Sequence, residues 1–82
     1  MGTAEIYEQL TELFREFFSN DDIVLKPDTS AKDIEGWDSF NHLSVMVAVE
    51  TRFNVKMKTS ELDKLANVGE LVSAIEDKLE RR

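Results

Sequence analysis

Gly36-Trp37-Asp38-Ser39-Phe40-Asn41-His42-Leu43-Ser44-Val45-Met46-Val47-Ala48-Val49-Glu50-Thr51-Arg52-Phe53-Asn54 is the stretch on which the reading of this chain turns. A turn residue, Gly36, gives way to Asp38 and Ser39, either of which can cap a helix. The spacing predicts a helix that begins at Asp38 or Ser39 and ends at Phe53, with Asn54 available for a left-handed stop. At about 100° per residue, Met46, Val49 and Phe53 share a narrow arc with Val45 at its flank, while Phe40, Leu43 and Val47 fall in a second arc. Asn41, Ser44, Thr51 and Arg52 are squeezed between them. One arc can face a bundle. The other either stays at the surface, where an apolar stripe marks a binding site, or is covered by the loop before it.

Working outward, Ile6, Leu10, Leu13, Phe14 and Phe17 recur on one face of a first helix. Thr3 can cap it and Glu5 suits its positive first turn. Residues 19–38 form a long connection, uncommon unless tied down or functional, and Ile23, Leu25, Ile34 and Trp37 are the candidate ties. Val55, Lys56 and Met57 read as a short extended link. Thr59 or Ser60 can cap a short third helix through Leu62 and Leu65. Asn67 and Glu70 have capping-box spacing before a fourth helix with Val68, Leu71, Val72, Ile75 and Leu79 on one face. Lys78, Arg81 and Arg82 suit the negative end of its dipole. No strand signal of useful length competes, so the expected fold is an all-α four-helix bundle with a long first loop and a short third helix.

Eighty-two residues suit one small domain, read here as 1–82. The net charge is −7. The first 50 residues hold 11 acids and 3 bases, whereas the last 32 hold 6 acids and 7 bases. That balance argues against nucleic acid as a partner, because phosphates are repelled, and favours proteins with basic patches. No cysteine is present, which excludes a disulfide framework, a thiolate metal site and a cysteine nucleophile. No run approaches the length of a membrane span and no secretory signal is visible, so a cytoplasmic chain without membrane insertion is expected.

Ser39 stands where chemistry is easiest to place. A serine in the first turn of a helix presents its hydroxyl beside unpaired N–H groups, a good seat for a phosphate. The plainer reading is an ordinary cap. The run from Gly36 to Phe40, followed by Leu43, by Val45 to Glu50 and by Phe53, resembles the acyl carrier protein family. Its hallmark is an Asp-Ser-Leu (or Met) tripeptide opening the second helix two residues after a Gly. The resemblance covers nearly the whole chain, in length, acidity, long first loop and short third helix.

That resemblance implies that Ser39 receives 4′-phosphopantetheine from coenzyme A through a phosphopantetheinyl transferase, with Asp38 and Phe40 beside it. The arm's thiol would hold an acyl group as a thioester, which fits a chain without cysteine. Further implied partners are acyl-loading and acyl-processing enzymes, met by a monomer that is itself no enzyme. Phe40, Leu43, Val47 and Glu50 are the expected partner surface. Met46, Val49, Leu62, Leu65, Leu71 and Val72 occupy the family's acyl-cleft positions, and plain core packing is their other reading. Phe40 replaces the usual Leu or Met, Trp37 replaces a small residue, and the second helix lacks its usual acids. Ile34 and Glu35 also exchange the usual polar and apolar order before Gly36. These departures suggest a specialised carrier of a dedicated pathway. Two other readings stay open: an aminoacyl or peptidyl carrier, and an unmodified helical adaptor using the same stripe.

A hydrolase reading would make Ser39 a nucleophile and His42 its base. It needs a carboxylate to orient His42, and Asp38 is expected to be occupied by capping. A structural or cleft-mouth role is therefore expected for His42. Asp21, Asp22, Asp33 and Glu35 lack the spacing of a calcium loop, and no metal site is expected. Glu8, Glu12 and Glu16 read as a solvated row.

Overall fold

The computed structural model describes residues 2–62 and 64–80, apart from the Thr59 side chain. Four helices follow one another: α1 (Thr3–Phe17), α2 (His42–Phe53), α3 (Thr59–Leu62) and α4 (Val68–Glu80). A 3-10 turn, Ala31–Asp33, interrupts the long connection between α1 and α2. No strand occurs among the described residues. α1 packs against both α2 and α4.

α1 buries Ile6, Leu10, Leu13 and Phe14. Each such side chain removed from water contributes about 1.5–3 kcal/mol. The apolar face stops one step earlier than its periodicity suggests: Phe17 is exposed and lies edge-on to Phe18 instead. Thr3 is not the cap either. Gly2 holds that position, and the Thr3 hydroxyl donates to Glu76 Oε1 at 2.8 Å, tying α1 to α4. The helix ends in a Schellman arrangement around Ser19 at φ 51°, with Asn20 N–H donating to Arg15 O and Ser19 N–H to Glu16 O. Asn54 gives α2 its expected left-handed stop at φ 55°.

The long connection is tied down by the residues expected to do so. Ile23, Leu25, Ile34 and Trp37 are all buried in the common core. Polar ties add to them. Arg15 Nε donates to Ile23 O, and Thr29, itself buried, accepts Lys26 N–H on its hydroxyl. Ser30 and Asp33 bracket the 3-10 turn, Ser30 N–H donating to the Asp33 carboxylate at 2.9 Å. Asp33 is thereby used within the backbone.

Across the core, Arg52 of α2 reaches α1, with Nε on Gln9 Oε1 and a terminal nitrogen on Glu12 Oε2, both at 2.9 Å. Glu12 is therefore paired, and the row Glu8, Glu12, Glu16 is not wholly solvated. α3 ends at Leu62, short of Leu65, which is half-buried in the following segment. Ser60 lies inside α3 and does not cap it. The alternative cap, the Thr59 side chain, lies outside the described residues. Val55 and Met57 bury toward the core while Lys56 between them is exposed. α4 buries Val68, Leu71, Val72 and Ile75, with Leu79 half-buried. Its start is capped by Asn67 Oδ1, which accepts Glu70 N–H at 2.9 Å. Glu70 reaches back to Ala66 N–H, one residue before the partner expected for a capping box. Arg81 and Arg82, expected to close α4, lie outside the described residues.

Candidate functional site

Asp38 organises the start of α2. Its Oδ1 accepts Phe40 N–H at 2.9 Å and Asn41 N–H at 3.2 Å, and its carbonyl accepts His42 N–H at 3.0 Å. Asn41 Oδ1 accepts Asp38 N–H in return, at 2.9 Å. This is a capping box with Asp and Asn in the reciprocal places. The Asn41 amide also donates to Gly36 O, and Gly36 supports the sharp turn at φ 94°. Capping thus begins at Asp38, as expected, but regular helix begins only at His42. The three residues between form a turn held by the side chains of Asp38 and Asn41, which compete with the regular ladder for backbone groups.

Two consequences follow for Ser39. The N–H groups of Phe40, Asn41 and His42, expected to be unpaired, are all engaged by Asp38. An open anion seat at this helix start is therefore not what Ser39 offers. It offers a free hydroxyl instead: Ser39 is exposed, and no hydrogen bond engages its side chain among the described residues. Because Asp38 does the capping, the serine oxygen is left available. Such an oxygen fits a covalently attached group, which needs access and no binding pocket.

The two arcs of α2 part company. Val45, Met46, Val49 and Phe53 are buried in the bundle. Phe40 is 93% exposed, Leu43 57% and Val47 59%. The loop does not cover this second arc, so a continuous apolar stripe starts next to Ser39. Glu50 is half-buried, and a shallow groove of Val47, Glu50, Thr51, Asn54, Val55 and Lys56 extends the stripe. Val24 is also exposed, a position that periodicity gave no reason to single out.

A cavity of about 60 Å³ lies on the inner side of α2. Met46, Leu65 and Leu71 line it, together with Ala31, Trp37, His42, Ala66 and Asn67. Val49, Leu62 and Val72, also expected in a cleft, are buried in the core and not in this cavity wall. Trp37 anchors the loop as a buried ring, edge-on to Phe14 at 5.1 Å. Its Nε1–H donates to His42 Nδ1 at 3.2 Å. The partner that orients His42 is therefore an indole, whereas a Ser-His-Asp relay needs a carboxylate there. The sequence marks both aromatic residues, but only the folded chain shows that they pair.

Residues 8–75 match the family described as the phosphopantetheine attachment site. The chain is 29% identical to the acyl carrier protein of Thermotoga maritima over 75 residues, covering 92% of this chain and 93% of that one. It is 29% identical to the acyl carrier protein of an Exiguobacterium species over 79 residues, covering 96% of this chain and all of that one. The solution structure of a holo acyl carrier protein from Geobacter metallireducens superposes with a TM-score of 0.85 at 43% identity, covering 92% of this chain and 86% of that one. An all-helical bundle with a free serine after a capping aspartate, matched in sequence and in structure to such carriers, belongs to the acyl carrier protein family, a carrier of covalently attached phosphopantetheine and not an enzyme.

Proposed function

We propose that Ser39 is the point at which a phosphopantetheinyl transferase attaches 4′-phosphopantetheine from coenzyme A. On this reading the chain carries acyl groups to partner enzymes of a fatty-acid, polyketide or related dedicated pathway. The observation that carries the reading is the exposed, unengaged Ser39 hydroxyl directly after the capping Asp38. The attached arm supplies a terminal thiol that holds an acyl group as a thioester, a function the cysteine-free chain cannot supply itself. Asp38 keeps the turn in shape and its own charge occupied with backbone N–H groups. Phe40, Leu43, Val47 and Glu50 form the surface that partners meet. Their contact is mainly apolar, since the neighbouring Asn41, Ser44 and Thr51 carry no charge and Arg52 is turned toward α1. Association is accordingly less sensitive to salt than for a carrier with an acidic second helix. The 82 residues act as one monomeric carrier domain in the cytoplasm, and no described helix is long and apolar enough to cross a membrane.

The test is incubation with coenzyme A and a broad-specificity transferase. Intact mass should rise by one phosphopantetheinyl group in the wild type, and Ser39→Ala should abolish the rise while leaving helix content unchanged. An unlabelled wild type would leave the adaptor reading, in which the same stripe binds a partner without any arm. The modest cavity favours a second carrier reading, with an aminoacyl or peptidyl cargo that stays outside the bundle. Chemical shifts that change only near Ser39 on loading would support that one.

A further inference from the structure

Trp37 and His42 stand at the two ends of the turn that carries Ser39, two residues before it and three after it. From Asp38 to Ser44 no residue is fully buried, so the turn has no anchor of its own in the core. Its front end is fixed by Trp37, whose ring meets Phe14 edge-on at 5.1 Å and 86° and whose backbone N–H donates to Ile34 O at 3.2 Å. Its back end is fixed to the same indole. The His42 ring stacks on it at 5.9 Å and 17°, and Trp37 Nε1–H donates to His42 Nδ1 at 3.2 Å. Asp38 and Asn41 shape the turn from within, whereas this pair of rings fixes where the turn sits against the core.

The contact exists in one protonation state only. Nδ1 accepts, so the proton of the neutral ring is on Nε2. In the imidazolium both ring nitrogens are donors, and Nδ1–H would face the indole N–H. Trp37 is 9% exposed, so losing that acceptor leaves a buried donor unmatched, which opposes the closed arrangement. Nothing beside the rings takes the acceptor's place: of the side chains lining the space they open onto, His42 is the one that ionises. The charged groups on the surrounding elements are engaged or exposed. Asp38 accepts from the turn, Asp33 from Ser30 N–H and Glu70 from Ala66 N–H, Arg15 of α1 donates to Ile23 O, and Lys32 and Lys64 are exposed. We infer that Trp37 and His42 are positioning residues for Ser39: they form a clasp that presents the serine for attachment of its arm while His42 Nδ1 is bare, and that opens when His42 takes a proton. The inference rests on the reading of Ser39 as the attachment point and names a regulation of that site. In the attachment the Ser39 oxygen bonds to the phosphorus that bears the arm, the pyrophosphate link of coenzyme A breaks, its nucleotide half leaves, and the hydroxyl proton passes to a base of the transferase.

The test measures initial rates of arm attachment by intact mass, with coenzyme A and a broad-specificity transferase, from about pH 8 down to about pH 5.5, the span over which imidazoles gain a proton. His42→Asn keeps an acceptor near the Nδ1 position and cannot titrate. The ratio of wild-type to His42→Asn rates cancels the transferase's own pH response. It should fall on acidification by up to about fivefold, the worth of one net hydrogen bond. Trp37→Phe keeps a buried ring and the imidazole but removes the N–H, so its ratio to Trp37→Phe/His42→Asn should stay flat with pH. Trp37 is the one tryptophan, so its indole N–H resonance reports on the clasp directly. That proton should exchange with solvent faster as pH falls in the wild type, and not in His42→Asn. Nitrogen shifts of His42 at pH 8 should show the proton on Nε2. A proton on Nδ1, a wild-type ratio independent of pH, or a fall that persists in Trp37→Phe would each overturn the clasp, the last by assigning the effect to the charge of His42 alone. A mass that never rises at any pH defeats the attachment reading itself, while the indole and imidazole signals still report on the pair without any arm.

Discussion

At Asp38 and at Asn67 the chain starts a helix in nearly the same way. Each residue caps with a side-chain oxygen on the N–H three positions on, and the residue at that position, Asn41 or Glu70, reaches back to the backbone. Their surroundings differ. Before α4, the turn at residues 27–29 is docked onto the helix start: Thr29 O accepts Val68 N–H at 2.7 Å and Pro27 O accepts Gly69 N–H at 2.9 Å. Before α2 no other segment among the described residues supplies carbonyls to the helix start, and Ser39 and Phe40 stand in solvent. The same local chemistry thus serves structure at one end and access at the other. What separates them is whether another segment of the chain supplies carbonyls to the helix start.

The largest effect is expected where the docking is tightest. A Cβ on Gly69 would lie 2.8 Å from the Pro27 carbonyl oxygen, a backbone atom that cannot swing aside. Gly to Ala inside an exposed helix normally gains about 1 kcal/mol. Here Gly69→Ala should instead lose about 1–3 kcal/mol, the range for overpacking, measured by urea denaturation. A stabilised variant would show that the docking is dispensable. Next come the caps. Asp38→Ala and Asn67→Ala should each cost about 1 kcal/mol. If Ser39 takes the arm as proposed, only Asp38→Ala should also slow its labelling, because only there does the cap hold the turn that carries Ser39. Asp38→Asn keeps an equivalent cap and should restore stability, separating capping from any contribution of the charge to the transferase.

A smaller effect on stability, and a large one on traffic, is expected at the stripe. Val47→Asp lies on an exposed position and should change stability by less than about 0.5 kcal/mol. Helix content by circular dichroism should be unchanged while transfer between partner enzymes is impaired. Unchanged kinetics with every partner would move the contact surface off this face. The smallest effect concerns α3 and α4. Lys78 Nζ donates to Glu61 Oε1 at 3.0 Å, and this bond, followed by that from Lys58 N–H, holds the Glu61 carboxyl below its ordinary value. A carboxyl lowered on folding stabilises fully above its unfolded pKa and loses that contribution as pH falls through the folded one. The melting temperature difference between wild type and Glu61→Gln should therefore shrink on acidification through the carboxylate range. A difference constant with pH would mean the pair does not hold α3.

Much of this was legible along the chain. The ties Ile23, Leu25, Ile34 and Trp37, the stop at Asn54 and the cap at Asn67 follow from periodicity and turn chemistry, which act over a few residues. Thr3 shows where that reasoning fails: a threonine before an apolar helix reads as a cap, yet its hydroxyl is taken by Glu76, 73 residues away. Arg52 shows it again, since a helix-surface arginine reads as solvated until α1 presents Gln9 and Glu12 to it. At the site, Asp38 and Ser39 were recognisable from the motif. Capping by Asp38 was expected too, but that its carboxylate and carbonyl together would engage the N–H groups of Phe40, Asn41 and His42, leaving no open anion seat beside Ser39, was not.

The order of the helices, their apolar faces and the position of Ser39 at a helix start are properties of local pattern, because hydrogen bonding over three or four residues and a period near 3.6 set them. Which arc of α2 stays in water, which loop plugs which helix start, and how Trp37 meets His42 were decided only when distant segments packed. Those outcomes depend on shapes and distances between residues far apart in the chain, and a linear pattern does not encode them until the core closes.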